Sequence, residues 1–267
     1  MYIANRFTSL DDFRTGFGGS FPAATKYSTS YMFRGQRVLD WNLQSTLEQR
    51  NPKIPYSLQQ YLEICSNAYA SLTAKFPSGR TFPNDALEAK NWYDLVKMGA
   101  QPFNEILYII LELRHYGFPS PVLDWTSSED VAAFFAYESS DGTNDVIIFA
   151  YRKNGLHSTF ESEPSIRVIR PHIGPLFRQS KQRAIHTICG TDTDDKLVFC
   201  PYESVLLDQT NSKDEVLKFS LCGAHKDDVI LQLRSAGITR ETIYGNEDHG
   251  LSDKDQFCKD IADELFH

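Results

Sequence analysis

Apolar and polar residues change their spacing along this chain. In the first 50 residues the apolar positions are broken. Phe7, Phe13, Phe17 and Tyr31-Met32-Phe33 stand among Gly, Ser and Thr, which predicts short strands and turns. Residues 57–116 follow helical spacing. Ser57 with Gln60 makes a capping box, and Tyr61, Cys65, Ala68, Tyr69 and Leu72 recur every three or four positions. Asp85 with Glu88 is a second helix start, ahead of Trp92, Leu95 and Val96, and a third helix spans about 104–115, stopping at Gly117 with Pro119 beyond. Residues 122–125 form a short apolar strand, and Thr126, Ser127 and Ser128 offer caps for a helix through Val131, Ala132, Phe134 and Phe135.

After Gly142 the texture becomes that of strands, at 146–151, 166–169, 184–189, 196–200, 204–207 and 215–221. A helix over 227–236 follows, stopped by Gly237, and a last amphipathic helix carries Phe257, Ile261, Leu265 and Phe266. Helices first and strands later predict an α+β fold: a single domain over 1–267 with a mostly antiparallel sheet. A helical insertion fills about 52–116, and 143–267 is the strand-rich part.

Composition narrows the class. The 267 residues are 41% hydrophobic, enough for one sizeable core. No apolar run approaches the roughly 18 residues of a membrane helix, and Met1 to Phe7 lacks the basic-then-apolar pattern of an export signal. Five scattered cysteines without a CxxC pair argue against a disulfide scaffold or a zinc site, so reduced thiols, a cytoplasmic location and no metal are expected. A net charge of −8 argues against a general duplex-binding surface while allowing a local basic pocket.

Three segments carry candidate chemistry. In Phe33-Arg34-Gly35-Gln36 an apolar run delivers an arginine, suited to two-pronged contact with phosphate or carboxylate, beside a glycine that permits close approach. The plainer alternative is an arginine paired with a buried Asp. The second segment runs from Leu113-Arg114-His115-Tyr116-Gly117 to Leu123-Asp124-Trp125-Thr126-Ser127-Ser128. Its strand-to-helix step places side chains and free N–H groups where an anion or ribose could sit, although the hydroxyls could merely cap a helix, Asp124 could merely pair with Arg34, and His115 could satisfy a core carbonyl. The third, Arg178 to His186, is the most basic run of the chain, with Arg167 and Arg170 nearby. Charge runs of this kind are usually solvated.

Taken in order, these segments resemble the FRG family, whose Phe-Arg-Gly tripeptide, usually followed by Gln, is here Phe33-Arg34-Gly35-Gln36. A His-Tyr-Gly turn at 115–117, a Leu-Asp-Trp-Thr motif at 123–126 and an Ala/Phe-rich helix at 132–136 follow with similar spacing, covering about residues 28–138. Arg178 to Ala184 is similar to a later Arg…Gln-Arg-Gly segment, with Ala184 in place of Gly, and residues 237–244 to the family's ending, with Gly245 in place of Pro. The resemblance implies a bacterial or phage protein with a role in conflict or defence, as toxin or effector.

The layout is also similar to that of ADP-ribosyltransferases, which implies a split sheet and NAD as substrate. By that analogy Arg34 would anchor the NAD phosphates or ribose and Thr126 and Ser127 would contact the nicotinamide ribose. Asp124 would hold Arg34 or His115, Tyr116 would stack on a ring, and Gln36 and Arg178 would complete the nucleotide site. Gln182 falls where those enzymes place a Glu that steadies a developing cation. An amide cannot supply that charge, and Glu129, Glu203 and Glu241 are substitutes among which the sequence does not choose. The expected activity is ADP-ribosyl transfer to protein or nucleic acid. The alternative is a non-catalytic ligand-sensing or interaction module, and single-stranded nucleic-acid binding on aromatics and Arg178 to Arg183 is a third reading. No G-x-S-x-G, Walker-type, HExxH or CxxC motif is present, and Cys189 and His186 point to opposite faces of one strand.

Overall fold

A computed structural model describes residues 3–20, 31–40, 42–52, 55–153, 163–169, 181–206, 214–245 and 253–266. Eight strands form one open sheet: β1 (Ile3–Phe7), β2 (Met32–Gln36), β3 (Val122–Thr126), β4 (Val146–Arg152), β5 (Ser165–Ile169), β6 (Ala184–Thr193), β7 (Lys196–Phe199) and β8 (Glu215–Leu221). Their order is β1-β8-β4-β2-β3-β6-β5, with β7 on β6. The β1–β8 pair is parallel and the others antiparallel.

Strand β4 is buried on both faces and its side chains alternate between two cores. Val146, Ile148 and Ala150 face the core beneath helices α1 (Leu10–Ser20) and α6 (Glu129–Glu138), while Ile147, Phe149 and Tyr151 face Trp125, Met32 and Tyr202. A third core is the helical layer inserted between β2 and β3. It comprises α2 (Thr46–Arg50), α3 (Leu58–Lys75), α4 (Trp92–Lys97) and α5 (Ala100–His115), joined by the C-terminal α10 (Asp253–Leu265). Between β8 and α10 come α8 (Lys226–Ser235) and α9 (Arg240–Tyr244).

The joint between β2 and β3 is short. Each strand has a five-pair ladder with its outer neighbour, β2 with β4 and β3 with β6, but one pair alone, Phe33 opposite Thr126, joins β2 to β3. Gly35 lies under α6. A Cβ there would overlap the Ala132 carbonyl and stand 2.7 Å from the Ala136 nitrogen. The close approach expected of this glycine is therefore made by the chain's own helix.

Three predicted elements are corrected. The stretch around Phe13 and Phe17 is the helix α1, started by the Ser9 hydroxyl accepting from the Asp12 N–H at 3.0 Å. Its Leu10, Phe13 and Phe17 have helical spacing, and the ring of Phe13 packs edge-on against Phe219 with centroids 5.5 Å apart. Asp85 and Glu88 sit in a single 3-10 turn over Asn84–Glu88, and α4 has its own capping box from Asn91 and Asp94. The run from Ser204 belongs to a helix, α7 (Tyr202–Leu206), where the Ser204 N–H donates to the Pro201 carbonyl. Among the described residues no helix is long and apolar enough to cross a membrane.

Candidate functional site

A cavity of about 1130 Å³ opens where β2 and β3 part, walled by α5, α6, the start of β6 and α9. The apolar stripe of α5 dictates which of its polar residues turns inward. Leu107, Ile110 and Leu113 are buried, and Arg114, four residues after Ile110, continues their face with its side chain only 13% exposed, whereas His115 is exposed. Arg114 grips Asp124 of β3 with two nitrogens, Nε at 2.9 Å and Nη2 at 2.5 Å from one carboxylate oxygen. The other oxygen lies 3.1 Å from Nδ1 of the buried His186 on β6, directly across the ladder.

Arg34 meets the same residue differently. Its Nη1 donates 2.8 Å to the backbone carbonyl of Asp124, at the place where β2 and β3 cease to pair, and its Nε is buried with no partner among the described residues. Two residues on, Gln36 is buried and its Oε1 is likewise without a partner. Buried polar atoms are normally satisfied, so Arg34 Nε and Gln36 Oε1, both on residues that line the cavity, have bonding capacity left over.

Charge follows from this arrangement. Burial works against the charge of Asp124, but Arg114 and His186 more than offset it and hold the carboxyl well below the usual carboxylate range. Burial pulls the Arg34 guanidinium down, to about 10, against the attraction of Asp124, so it remains charged at neutral pH. For Arg114 burial also opposes the charge, and Asp124 restores it and raises the pKa. The floor thus carries two guanidinium charges against one carboxylate. Higher up, the walls bring in Asp40, Glu112, Tyr108, Tyr116, Phe135 and Tyr244. Burial pushes the Glu112 carboxyl up, against the Tyr69 hydroxyl that donates to it at 3.2 Å.

Of the residues singled out in the sequence, Arg34, Gln36, His115, Tyr116, Asp124, Thr126 and Gln182 line this cavity although they come from four separate segments. Two do not. Ser127 is exposed beside the rim, its N–H donating to the Arg183 carbonyl, and Glu241 is exposed in the first turn of α9. Neither Glu129 nor Glu203 lines the cavity. Arg178 lies outside the described residues. Thr126 is buried and its hydroxyl accepts from the Ser128 N–H at 3.0 Å, while Ser128 caps α6. Gln182 is held by the Ile243 carbonyl at 3.4 Å, and Arg183 after it takes a left-handed φ of 48° that turns the chain into β6. The expected partnership of Asp124 with Arg34 or His115 is replaced by Arg114 and His186. The sequence reading missed both, although an arginine within an apolar helical stripe and a histidine within an apolar strand were the visible signals.

These features set two guanidinium groups and one carboxylate at the floor of a cavity where the sheet parts. Residues 29–145, which contain Arg34, Arg114 and Asp124, match the family model of the FRG domain, so the chain carries an FRG domain over that part of its length. No curated protein and no solved structure matches the chain.

Proposed function

We propose that this protein is ADP-ribosyltransferase-like and takes NAD or a related nucleotide into the cavity between β2 and β3. The observation that carries the reading is the floor: Arg34 and Arg114 face one carboxylate, leaving a surplus positive charge under a volume ample for a dinucleotide. A phosphate would supply the acceptor that Arg34 Nε lacks, and a ribose hydroxyl or amide N–H the donor that Gln36 Oε1 lacks. The rings of Tyr116, Phe135 and Tyr244 offer faces for a base. Glu241 does not line the cavity and has no part in this reading. Asp40, Glu112 and Asp124 are the carboxylates lining the cavity. With Asp124 committed to Arg114 and His186 and Asp40 exposed, we assign Glu112 of α5 to steady a developing cation, with Gln182 binding ribose. The acceptor would be a protein or a nucleic acid, in a defence or toxin role.

One observation favours a second reading. Because the floor carboxylate is already engaged by two partners, the site could hold its nucleotide without turning it over, as a sensing or interaction module. Calorimetry and nicotinamide release with NAD separate the readings. Binding with release that falls at least tenfold in Glu112→Gln supports the transferase. Binding without release on any acceptor supports the module, and absence of binding overturns both. Arg34→Ala should lose binding, and Arg34→Lys should not restore it, since an ammonium lacks the planar two-pronged contact.

A further inference from the structure

Five cysteines spread through the sequence give no hint of pairing, but the fold brings two of them together. β6 and β7 form a hairpin whose turn is made by Asp194 and Asp195, both left-handed, with φ of 51° and 59°. Its register pairs Gly190 with Phe199, so the next positions toward the open end are Cys189 and Cys200, directly opposite. The Cys200 N–H donates to the Cys189 carbonyl at 3.3 Å, which extends the ladder by one step. The two sulfurs lie 3.5 Å apart. Opposed antiparallel residues have Cα atoms about 4.5–5.5 Å apart, inside the roughly 4.4–6.8 Å that a disulfide spans. Closing the remaining gap needs side-chain rotation and no backbone movement.

We propose that Cys189 and Cys200 are an oxidation site: a dithiol that a peroxide converts to a disulfide, fastening the wall behind the cavity. The surroundings assign the two sulfurs different parts. Cys200 is half-buried and open to an incoming oxidant, whereas Cys189 is buried in the core with Trp125 and Tyr202. The hydrogen bond from Cys189 favours the Cys200 thiolate, more than offsetting burial, while burial pushes the Cys189 thiol up. The Cys200 thiolate therefore attacks one peroxide oxygen, breaking the O–O bond to give a sulfenic acid and, with a proton, one water. The Cys189 sulfur then displaces the second water from the sulfenic sulfur. Two thiols and one hydrogen peroxide become one disulfide and two waters.

The wall being fastened is continuous with the site. Tyr202, two residues after Cys200, donates its hydroxyl to the Thr187 carbonyl at 2.7 Å. The Thr187 hydroxyl in turn accepts from the Trp125 indole at 2.9 Å, and Trp125 lines the cavity. This inference stands apart from any nucleotide reading of that cavity.

The test uses the full folded chain, reduced, cleared of reductant and exposed to hydrogen peroxide. Peptide mass spectrometry without reduction should find the 189 and 200 peptides joined and two hydrogens lighter than their sum. Buried Cys65 and Cys258 should still alkylate after unfolding. In Cys189→Ser the reaction should stop at a Cys200 sulfenic acid that a cyclic 1,3-dione traps, and in Cys200→Ser neither product should form. The joined protein should melt a few degrees higher, reversed by dithiothreitol. Oxidation of Cys222 in preference to Cys200, linkage only in urea, or linkage between chains would overturn the proposal.

Discussion

Asp124 is the residue on which the floor of the cavity turns. It ties α5 to β6 through Arg114 and His186, and its backbone carbonyl receives Arg34. Asp124→Asn removes the charge that compensates Arg114. Losing one partner of a fully buried pair costs about 3–5 kcal/mol. Because 47% of this side chain opens to the cavity, we expect about 1–3 kcal/mol in urea unfolding once solvent screening is allowed for. The carboxyl is depressed in the folded state, so its contribution is complete above its unfolded pKa of about 3.9. It fades as pH falls through the lower folded value. The difference between wild type and Asp124→Asn should persist from neutral pH to about pH 5 and shrink below about pH 4; a difference already closing near neutrality would contradict the depressed pKa. Arg183 makes the opposite case. An exposed arginine with a φ of 48° holds a conformation that favours glycine. Arg183→Gly should therefore stabilise the protein by about 0.5–1 kcal/mol, and Arg183→Ala should change little, since charge is not the cause.

At the scale of elements, the contact of β2 with α6 sets what position 35 can hold. The atoms that a Cβ would strike are backbone, which cannot rotate away. Gly35→Ala should cost at least about 2 kcal/mol, by forcing α6 off the sheet, and thermal unfolding reads it directly. An unchanged melting temperature would mean that α6 stands farther from β2 than described. The helices over 58–75 and 100–115 were legible because their apolar stripes are long and unbroken and Ser57 announces the first. Helix α1 was not, because Gly16, Gly18 and Gly19 lower its helical propensity while its hold comes from Phe13 and Phe17 packing on Phe33 and Phe219, partners distant in sequence. Phe13→Ala should accordingly cost about 3–5 kcal/mol, typical of a buried aromatic. The run from Ser204 shows the converse error: a short apolar stretch has no period of its own, and Pro201 decided for a helical turn. Among site residues, those named by short motifs were found, whereas Arg114 and His186 depend on which way a helix and a strand face.

For the molecule as a whole, the single pair between Phe33 and Thr126 has a dynamic consequence. The sheet is two plates, β1-β8-β4-β2 and β3-β6-β5 with β7, each laced by long ladders and sharing one rung. Opening one plate breaks few backbone bonds in the other, so native-state hydrogen exchange should sort the strand amides into two groups with separate opening free energies. The amides of β4 and β8 would fall in one group and those of β3 and β6 in the other. A molecule that settles between the plates and bonds to both would act as the missing rungs, and the two groups should then exchange as one.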